Sequence, residues 1–461
     1  MAAAKRLLAK SALLPTGWTA ELVIEIDASG RIAALSERGA ADGAERLDGL
    51  VLPGMPNLHC HAFQRALAGL AERAGPEGDD FWSWREVMYR FLARLSPDDV
   101  EAIAAELYLE MLKAGYTAVV EFHYLHKDAA GRPYANLAEL AERIVAAAEA
   151  TGIRLTLLPV LYQSGNFGGA PPSEGQRRFV TTSEEFAALL ERLHGVAAAR
   201  GGFRLGLAPH SLRAVPPAAL AEAVRALDRL DAGAPIHIHA AEQQREVRDC
   251  LAWANTRPVR WLLDNMPIDE RWTLVHATHM EADETARLAR SGAVAGLCPS
   301  TEGNLGDGLF PLRDYLGAGG RFGIGSDSNM AVDPSEELRW LHYGQRLLRE
   351  RRSLELDEPG TSLGTRLWRQ ALSGGAQALA QGTGAIAVGL AADLIVLDEN
   401  NPALVGRREA AALDSFVFAS AKGAVRDVMV GGRWLVREGR HAEEKRIALA
   451  YRRTAEALAR A

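Results

Sequence analysis

Short apolar runs alternate with longer amphipathic stretches through the middle of the chain. The stretches between the runs are rich in Ala, Leu, Glu and Arg, as in Pro97–Ala114, Leu137–Thr151 and Ser183–Arg200, and they predict helices. Eight apolar runs of strand length occur here: Val51–Leu58, Thr117–Tyr124, Ile153–Leu161, Phe203–Ala208, Pro235–Ala240, Trp272–Ala277, Val294–Cys298 and Arg321–Gly325. Eight β/α units over roughly 275 residues predict an α/β fold, a distorted (β/α)8 barrel of the TIM type. A doubly wound open sheet is the alternative, and the count of eight argues against it.

The two ends of the chain have a different texture, with short alternating strands and glycine-containing turns. Strand-like segments occur at Glu21–Asp27, Arg31–Leu35, Ala392–Leu397, Ala424–Val430 and Arg433–Arg437. We therefore expect residues 1–50 and 387–461 to form one small β-sandwich domain that is discontinuous in sequence, with the barrel in residues 51–386. Two glycine-containing stretches, Gly165–Gly175 and Thr301–Gly308, are predicted to be loops.

The composition limits the size and the setting of the protein. The chain has 461 residues, 48% of them apolar, which is enough for one large domain or for two to three small ones. The net charge of −7 is mild, and no basic tract indicates a nucleic-acid partner. Cys60, Cys250 and Cys298 are too far apart for a disulfide framework or a cysteine zinc site, which fits a reducing cytoplasm. No run approaches the roughly 20 apolar residues of a membrane span.

Histidine pairs follow two of the predicted strands. His59 and His61 end the first run, and His237 and His239 lie in the fifth. In an extended segment, residues two apart point to the same side, so each pair could hold one metal ion. Taken alone, such a pair is weak evidence, because two hydrogen-bonded polar residues at a strand end give the same pattern.

Further metal-type residues follow the fifth, sixth and eighth strands. Glu242 comes three residues after His239, His276 ends the sixth run, and Asp327 follows the eighth. Asp327 could also be a helix N-cap, a common role of Asp after a strand. In a barrel, however, all these strand ends meet at one face, where the active site lies. Four strands that end in such residues are not expected by chance, so the set predicts a metal site.

The series His-x-His, His, His, Asp on strands one, five, six and eight resembles the amidohydrolase superfamily, and the resemblance covers nearly the whole chain. Two-metal members often have a bridging lysine on the fourth strand, but no lysine occurs between Lys127 and Lys422 here. The resemblance therefore implies the branch with one metal ion. It implies one Zn²⁺ per subunit, held by His59, His61, His239 and Asp327. Ligands of this kind also admit iron or manganese.

The resemblance also implies a mechanism. Zinc lowers the pKa of its bound water toward 7. Asp327 and His276 would take and hold the proton of this water, and Glu242 would deliver a proton to the departing nitrogen as a general acid. The carbon under attack must be electron-poor and must carry a nitrogen leaving group, as in amidines. The three catalytic residues are thus predicted to be Glu242, His276 and Asp327.

Four segments indicate the substrate: His61–Leu67, Phe81–Arg85, Glu121–Tyr124 and Ala208–Val215. Together they resemble the formimidoylglutamate deiminase family of bacterial histidine degradation. The resemblance assigns the glutamate half of the substrate to Gln64, Arg85, Tyr124, His210 and Arg213. It implies hydrolysis of N-formimidoyl-L-glutamate to N-formyl-L-glutamate and ammonia, by a cytoplasmic homodimer. Two arginines suit two carboxylates, because the guanidinium fork binds a carboxylate in a bidentate manner.

Other interpretations remain open at this point. Arg85 could be a solvated helix residue beside two tryptophans, Arg213 a loop cap, Tyr124 a rim aromatic, and Gln64 and His210 structural residues. A one-metal deaminase of a nucleobase or nucleoside, of the guanine or adenosine-derivative type, would need no arginine in its pocket. A catalytically inactive barrel that serves as an assembly protein would not need to keep its buried metal-type residues.

Overall fold

The computed structural model describes residues 5–36, 41–72, 80–352 and 362–460. The strands are β1 (Lys5–Leu14), β2 (Gly17–Ile26), β3 (Ile32–Ser36), β4 (Glu45–Pro53), β5 (Met55–Cys60), β6 (Tyr116–His123), β7 (Arg154–Leu161), β8 (Phe203–Leu205), β9 (Ala208–Pro209), β10 (Ile236–Ala240), β11 (Trp272–His276), β12 (Val294–Leu297), β13 (Arg321–Ile324), β14 (Leu394–Leu397), β15 (Val425–Val430), β16 (Arg433–Arg437) and β17 (Arg440–His441).

The helices lie mainly between the middle strands. They are α1 (Phe81–Leu92), α2 (Pro97–Ala114), α3 (Glu139–Thr151), α4 (Ser183–Arg200), α5 (Pro217–Leu230), α6 (Gln244–Ala254), α7 (Pro258–Asn265), α8 (Ala282–Arg290), α9 (Pro299–Leu305), α10 (Leu312–Gly317), α11 (Pro334–Arg349), α12 (Leu363–Leu379), α13 (Glu409–Phe418) and α14 (Glu444–Arg460). None of the described helices is long and apolar enough to cross a membrane.

The strands from β5 to β13 form the predicted barrel, in a distorted form. They are arranged in two parallel sheets, β5-β6-β7-β8 with β9 beside β7, and β10-β11-β12-β13. Single bridges connect the two sheets at two seams: Leu207 with Ile236 and Ser211 with His239 at one seam, and Cys60 with Asp327 at the other. The (β/α)8 order is thus confirmed, but the hydrogen-bonded ladder is interrupted twice around the barrel.

The helices cover the barrel because its strands have no polar face. Every residue of β5 and β6 is buried, as expected for continuous apolar runs in a parallel sheet. Helix α12 approaches the barrel so closely that a Cβ atom at Gly374 would collide with the carbonyl oxygen of Phe322 on β13. Close packing of helix on sheet leaves the carboxyl ends of the strands as the open face of the barrel.

The two chain ends meet in one eight-stranded sheet of order β17-β16-β15-β14-β4-β1-β2-β3. It is one continuous ladder with its own apolar core, rather than two separately hydrogen-bonded sheets. The run Val51–Leu58, predicted as a single strand, is divided between β4 of this sheet and β5 of the barrel. Gly54 separates the two strands, and a Cβ atom there would collide with the side chain of Thr117. The division of the chain at residues 50 and 387 stays a prediction.

Candidate metal and substrate site

Three histidines and one aspartate bring their side chains together at the open face of the barrel. His59 Nε2 lies 3.0 Å from His239 Nε2 and 3.5 Å from Asp327 Oδ1, and His61 Nε2 lies 3.2 Å from the same Asp327 oxygen. All four side chains are buried. They come from the ends of β5, β10 and β13, so the strands position four potential ligands around one point.

The local backbone explains why these side chains converge. Asp327 donates its N–H to the carbonyl of His59 and accepts the N–H of His61 on its own carbonyl, so the seam between β13 and β5 fixes three of the groups. His61 Nδ1 lies 2.9 Å from the carbonyl oxygen of Phe122. A carbonyl only accepts, so Nδ1 carries the hydrogen and Nε2 keeps a free lone pair. Cys60 points away, toward Asn329 at 3.6 Å.

The chemistry of these donors fits a metal ion. A tetrahedral zinc site with bonds of about 2.0–2.1 Å places neighbouring ligand atoms roughly 3.3 Å apart, close to the separations found here. Burial lowers the pKa of His59 to about 3 and also lowers the pKa of His61 and His239. These imidazoles are therefore neutral at pH 7, which is the form that binds metals. Burial opposes ionisation of Asp327, but the neighbouring histidines hold its pKa below the usual value.

His276 and Glu242 lie beside this cluster. His276 Nε2 is 3.7 Å from Glu242 Oε1 and 3.7 Å from Asp327 Oδ2, and its Nδ1 is 3.3 Å from Glu302 Oε1. Burial alone would lower the pKa of His276, but the carboxylates, Glu242 foremost, raise it to about 10. Burial raises the pKa of Glu242. The pair can therefore hold protons next to the metal ligands at neutral pH.

A cleft opens over this cluster. All five residues predicted to bind the substrate contribute to its walls, together with the catalytic candidates. It is lined by His61, Gln64, Phe81, Trp84, Arg85, Met88, Tyr89, Tyr124, Tyr162, Phe179, His210, Arg213, His239, Glu242, His276, Leu305, Asp327 and Ser328. The structure thus brings the predicted residues to one cavity; their individual roles stay predictions.

The two predicted carboxylate-binding arginines approach the same tryptophan. The guanidinium carbon of Arg85 lies 4.5 Å from the centre of the Trp82 ring, and that of Arg213 lies 5.7 Å from it. Arg213 also lies 3.8 Å from Glu242 and 3.8 Å from Glu246. The Nε atoms of both arginines are buried without a hydrogen-bond partner among the described residues. Buried N–H groups without a hydrogen-bond partner in the described chain, on one buried and one half-buried cation, are suited to an anionic ligand.

The remaining predicted contacts line the same cleft. Gln64 donates from Nε2 to the Tyr124 hydroxyl at 2.8 Å, while its Oε1 is buried with no partner in the described chain. Tyr124 in turn donates to the sulfur of Met88 at 3.4 Å. His210 Nδ1 lies 3.0 Å from the Ser211 hydroxyl, and its ring is 4.9 Å from that of His239. His210 therefore lies between the cleft wall and His239, one of the potential metal ligands.

Two histidines of the motifs lie outside the cluster. His237 contacts the carbonyl of Ala378 on α12 at 3.0 Å, and His279 contacts Gln244 at 2.9 Å. Since β10 is extended, His237 and His239 were expected to share a face, and only His239 reaches the cluster. His237 instead fixes the strand to the helix that covers it.

Several residues of the site were not predicted from the sequence. Tyr89 and Tyr162 form one wall of the cleft with Gln176 behind them, and Glu302 contacts His276. Glu302 lies in Thr301–Gly308, which was predicted to be a loop, but most of this stretch belongs to helix α9 or its cap. Pro at the first turn of α9 was an available helix-start signal. The position of Glu302 after the seventh predicted strand was a second signal, which could have placed Glu302 at the active site, because all strand ends meet at this face.

The comparisons with known proteins agree with this geometry. The model of the amidohydrolase family matches residues 50–435. The chain therefore belongs to the amidohydrolase family. It is 56% identical over 446 residues to the formimidoylglutamate deiminase of Pseudomonas aeruginosa, covering 96% of this chain and 97% of that protein. The predicted resemblance to formimidoylglutamate deiminases is thereby confirmed.

Two solved structures are also similar. An amidohydrolase from Brucella melitensis is 46% identical, with a TM-score of 0.92 over 98% of this chain and 99% of the other. An adenosine deaminase from Xanthomonas campestris with bound zinc has a TM-score of 0.82 and covers 99% and 98% of the two chains. At 20% identity, this second structure shows a common fold and nothing more specific.

Proposed function

We propose that the protein hydrolyses N-formimidoyl-L-glutamate to N-formyl-L-glutamate and ammonia, as a step of histidine degradation. The observation that carries this proposal is the presence of Arg85 and Arg213 in the cleft over the histidine cluster, each with a buried Nε that has no hydrogen-bond partner among the described residues. Two cations suit the two carboxylates of a glutamyl group. The similarity to the Pseudomonas deiminase supports the same substrate.

We further propose that one Zn²⁺ per subunit is held by His59, His61, His239 and Asp327. The neutral imidazoles and the ionised carboxylate suit a divalent cation. The chemistry supplied by a bound zinc ion is the activation of a water molecule, whose pKa falls toward neutrality. A solved structure with the same fold contains zinc, which is consistent with this choice of metal.

The chain's own residues then move the protons. Asp327 Oδ2 and Glu242 Oε1 both lie 3.7 Å from His276 Nε2, so a proton taken from the water can be held among these three groups. The water oxygen bonds to the formimidoyl carbon. The carbon–nitrogen double bond then becomes a single bond, and the terminal nitrogen receives the first proton of the water. Glu242, with its raised pKa, delivers a further proton to this nitrogen, the bond between carbon and nitrogen breaks, and ammonia leaves while the oxygen forms the carbonyl and returns its remaining proton to these groups.

The test is ammonia release from N-formimidoyl-L-glutamate by the purified, zinc-loaded protein, with guanine and adenosine assayed alongside. We expect release from the first compound alone. Activity only on guanine or adenosine would overturn the substrate assignment and favour a nucleobase or nucleoside deaminase. Absence of activity on all three compounds, in protein shown to contain zinc, would overturn the deaminase proposal itself.

The substrate of this site is a small molecule, whether the protein acts on N-formimidoyl-L-glutamate or on a nucleobase or nucleoside. We propose that two chains form a homodimer and that the protein is cytoplasmic, as the family resemblance implies. The exposed apolar side chains of α11 support the first proposal, and the three buried, unpaired cysteines are compatible with the second.

A further inference from the structure

One wall of the cleft has two phenolic hydroxyls that the reaction described above does not use. Tyr89 comes from α1 and Tyr162 follows β7, and both line the cleft beside Arg85 and Arg213. Gln176 lies behind them and is almost completely buried, at 1% exposure. Its Nε2 lies 2.6 Å from the Tyr162 oxygen and 3.3 Å from the Tyr89 oxygen.

The direction of these hydrogen bonds is fixed by the backbone. The N–H of Ser173 donates to Oε1 of Gln176 at 2.7 Å, so the amide oxygen faces the loop and the amide nitrogen faces the two phenols. An amide nitrogen only donates, so both phenolic oxygens accept, and neither can send its own hydrogen to Gln176. A hydrogen bond from the Tyr89 hydroxyl acts to lower the pKa of Tyr162, against the larger effect of burial. Such a bond uses one of the two phenolic hydrogens, and at least one remains for a group in the cleft.

The surroundings of these hydroxyls favour an anion. The guanidinium of Arg85 lies 5.5 Å from the centre of the Tyr89 ring, and the charges of Arg85 and Arg213 act on both phenols. Burial raises the pKa of both tyrosines, so their hydroxyls keep their hydrogens at neutral pH. Protonated hydroxyls next to two cations add neutral hydrogen-bond donors to the positive charge of the site. An anion that binds to the cations can therefore also accept hydrogen bonds from the phenols. A carboxylate oxygen, with several lone pairs, can use donors of both kinds.

We propose that Tyr89 and Tyr162, held by Gln176, bind one of the two substrate carboxylates in the cleft that Arg85 and Arg213 also line. This inference rests on the proposed function and adds two specificity residues to it. The positive charge of the arginines attracts any anion. The hydroxyls have fixed positions, so they donate hydrogen bonds only to a carboxylate that extends far enough to meet them. The wall therefore selects the length of the dicarboxylate.

The test compares the zinc-loaded wild-type protein with Tyr89→Phe, Tyr162→Phe and the double variant. Tyr315→Phe is the matched control, because Tyr315 is an equally buried phenol whose hydroxyl contacts the carbonyls of Ala293 and Arg321 away from the cleft. Calorimetry measures the Kd for glutarate, and steady-state assays measure KM and kcat for N-formimidoyl-L-glutamate. We expect Kd and KM to rise about tenfold or more in the double variant, since a hydrogen bond to a charged group is lost, with kcat changed much less.

Substrate analogues that lack one carboxylate distinguish the loss of a specific contact with the tyrosines from a general disturbance of the site. N-formimidoyl-γ-aminobutyrate lacks the α-carboxylate, and N-formimidoylnorvaline lacks the side-chain carboxylate. The rise in KM of the double variant over the wild type should vanish for one analogue and persist for the other. An equal rise in KM for both analogues, or an unchanged Kd for glutarate, would overturn the proposal.

The two proposals can fail separately. Wild-type protein that binds glutarate through the tyrosines but releases no ammonia would overturn the proposed function alone. Wild-type protein that releases ammonia, with a double variant whose Kd and KM are unchanged, would overturn the role of the tyrosines alone.

Discussion

Glu242 is the residue on which proton delivery depends in the proposed reaction. Its carboxyl group is buried, and one oxygen faces His276 while the other faces Arg213. Replacing Glu242 by Gln keeps the shape but removes the ability to transfer a proton. We expect turnover of N-formimidoyl-L-glutamate to fall by about 10²–10⁴-fold. Zinc content, measured by elemental analysis, should not change, because Glu242 is not among the proposed ligands.

Glu222→Gln, on the exposed face of α5, is the control and should leave both activity and zinc content unchanged. A Glu242→Gln protein that retains full turnover would show that another group supplies the proton.

Arg213 is expected to bind the substrate and not the metal. Replacing it by Met keeps much of the side-chain volume and removes the charge. We expect KM for N-formimidoyl-L-glutamate to rise by about tenfold or more, because a charge-assisted carboxylate contact is lost, while zinc affinity changes little. Steady-state kinetics and a competitive zinc titration measure the two quantities. Arg225→Met, on the exposed face of α5, controls for the loss of one positive charge. An unchanged KM would exclude Arg213 from the carboxylate contact.

At this scale, the sequence is informative where neighbours in the chain are neighbours in space. His59 and His61 could be paired because residues two apart in a strand share a side. The same rule was insufficient for His237 and His239. It does not show how far along the strand the cluster lies, and only His239 is close enough to the strand end to reach it. Tyr89, Tyr162 and Gln176 meet only through the tertiary fold, so no spacing in the sequence indicated their contact.

The contact between α12 and β13 has no space for a side chain at Gly374. A Cβ atom there would also lie 2.8 Å from the backbone nitrogen of Gly323, closer than real Cβ atoms approach. We expect Gly374→Ala to lower the free energy of unfolding by about 1–3 kcal/mol, because helix and sheet must move apart. Urea denaturation measures the change.

Gly195→Ala is the matched control for this prediction. Gly195 lies inside α4, and apart from its own helix no atom of the described residues lies within 4 Å of the position of its missing Cβ. Alanine has the higher helix propensity, so this variant should be up to about 1 kcal/mol more stable. A Gly374→Ala protein as stable as the wild type would show that α12 is not tightly seated on the barrel.

Element types were predicted better than their limits. Helices α2 and α4 begin and end where the sequence predicted, because Ser96 and Thr182 form capping boxes and glycines follow the last turns. The first apolar run was wrongly predicted as one strand. It is apolar throughout, and only the close approach of Thr117 to Gly54 shows why the chain changes sheets there. Periodicity does not record such contacts between distant segments.

At the scale of the whole molecule, α11 has an exposed apolar face that suits a second copy of the chain. Trp340 is 50% exposed, Leu347 80% and Leu348 60%. In an antiparallel pair of α11 helices, Trp340 would face Leu347 of the partner subunit. The apolar stripe is thus self-complementary, as a two-fold interface requires.

We therefore expect the protein to sediment at twice the mass of one chain, and Leu347→Asp to sediment as a monomer. Leu449→Asp on α14 is the control, since Leu449 is exposed to 49% on a different helix. Analytical ultracentrifugation measures all three proteins. A Leu347→Asp protein that remains dimeric would place the interface elsewhere, and a monomeric wild type would contradict the dimer itself.

The interrupted ladder of the barrel has a kinetic consequence. His59 and His61 belong to one parallel sheet, whereas His239 belongs to the other, and Asp327 sits at the seam between them. A bound ion would therefore connect the two sheets through ligands from both. Removal of zinc should then speed hydrogen exchange at the seam amides of His239 and Asp327. The ion would act as a cross-link that slows the opening of the barrel, in addition to its part in the reaction.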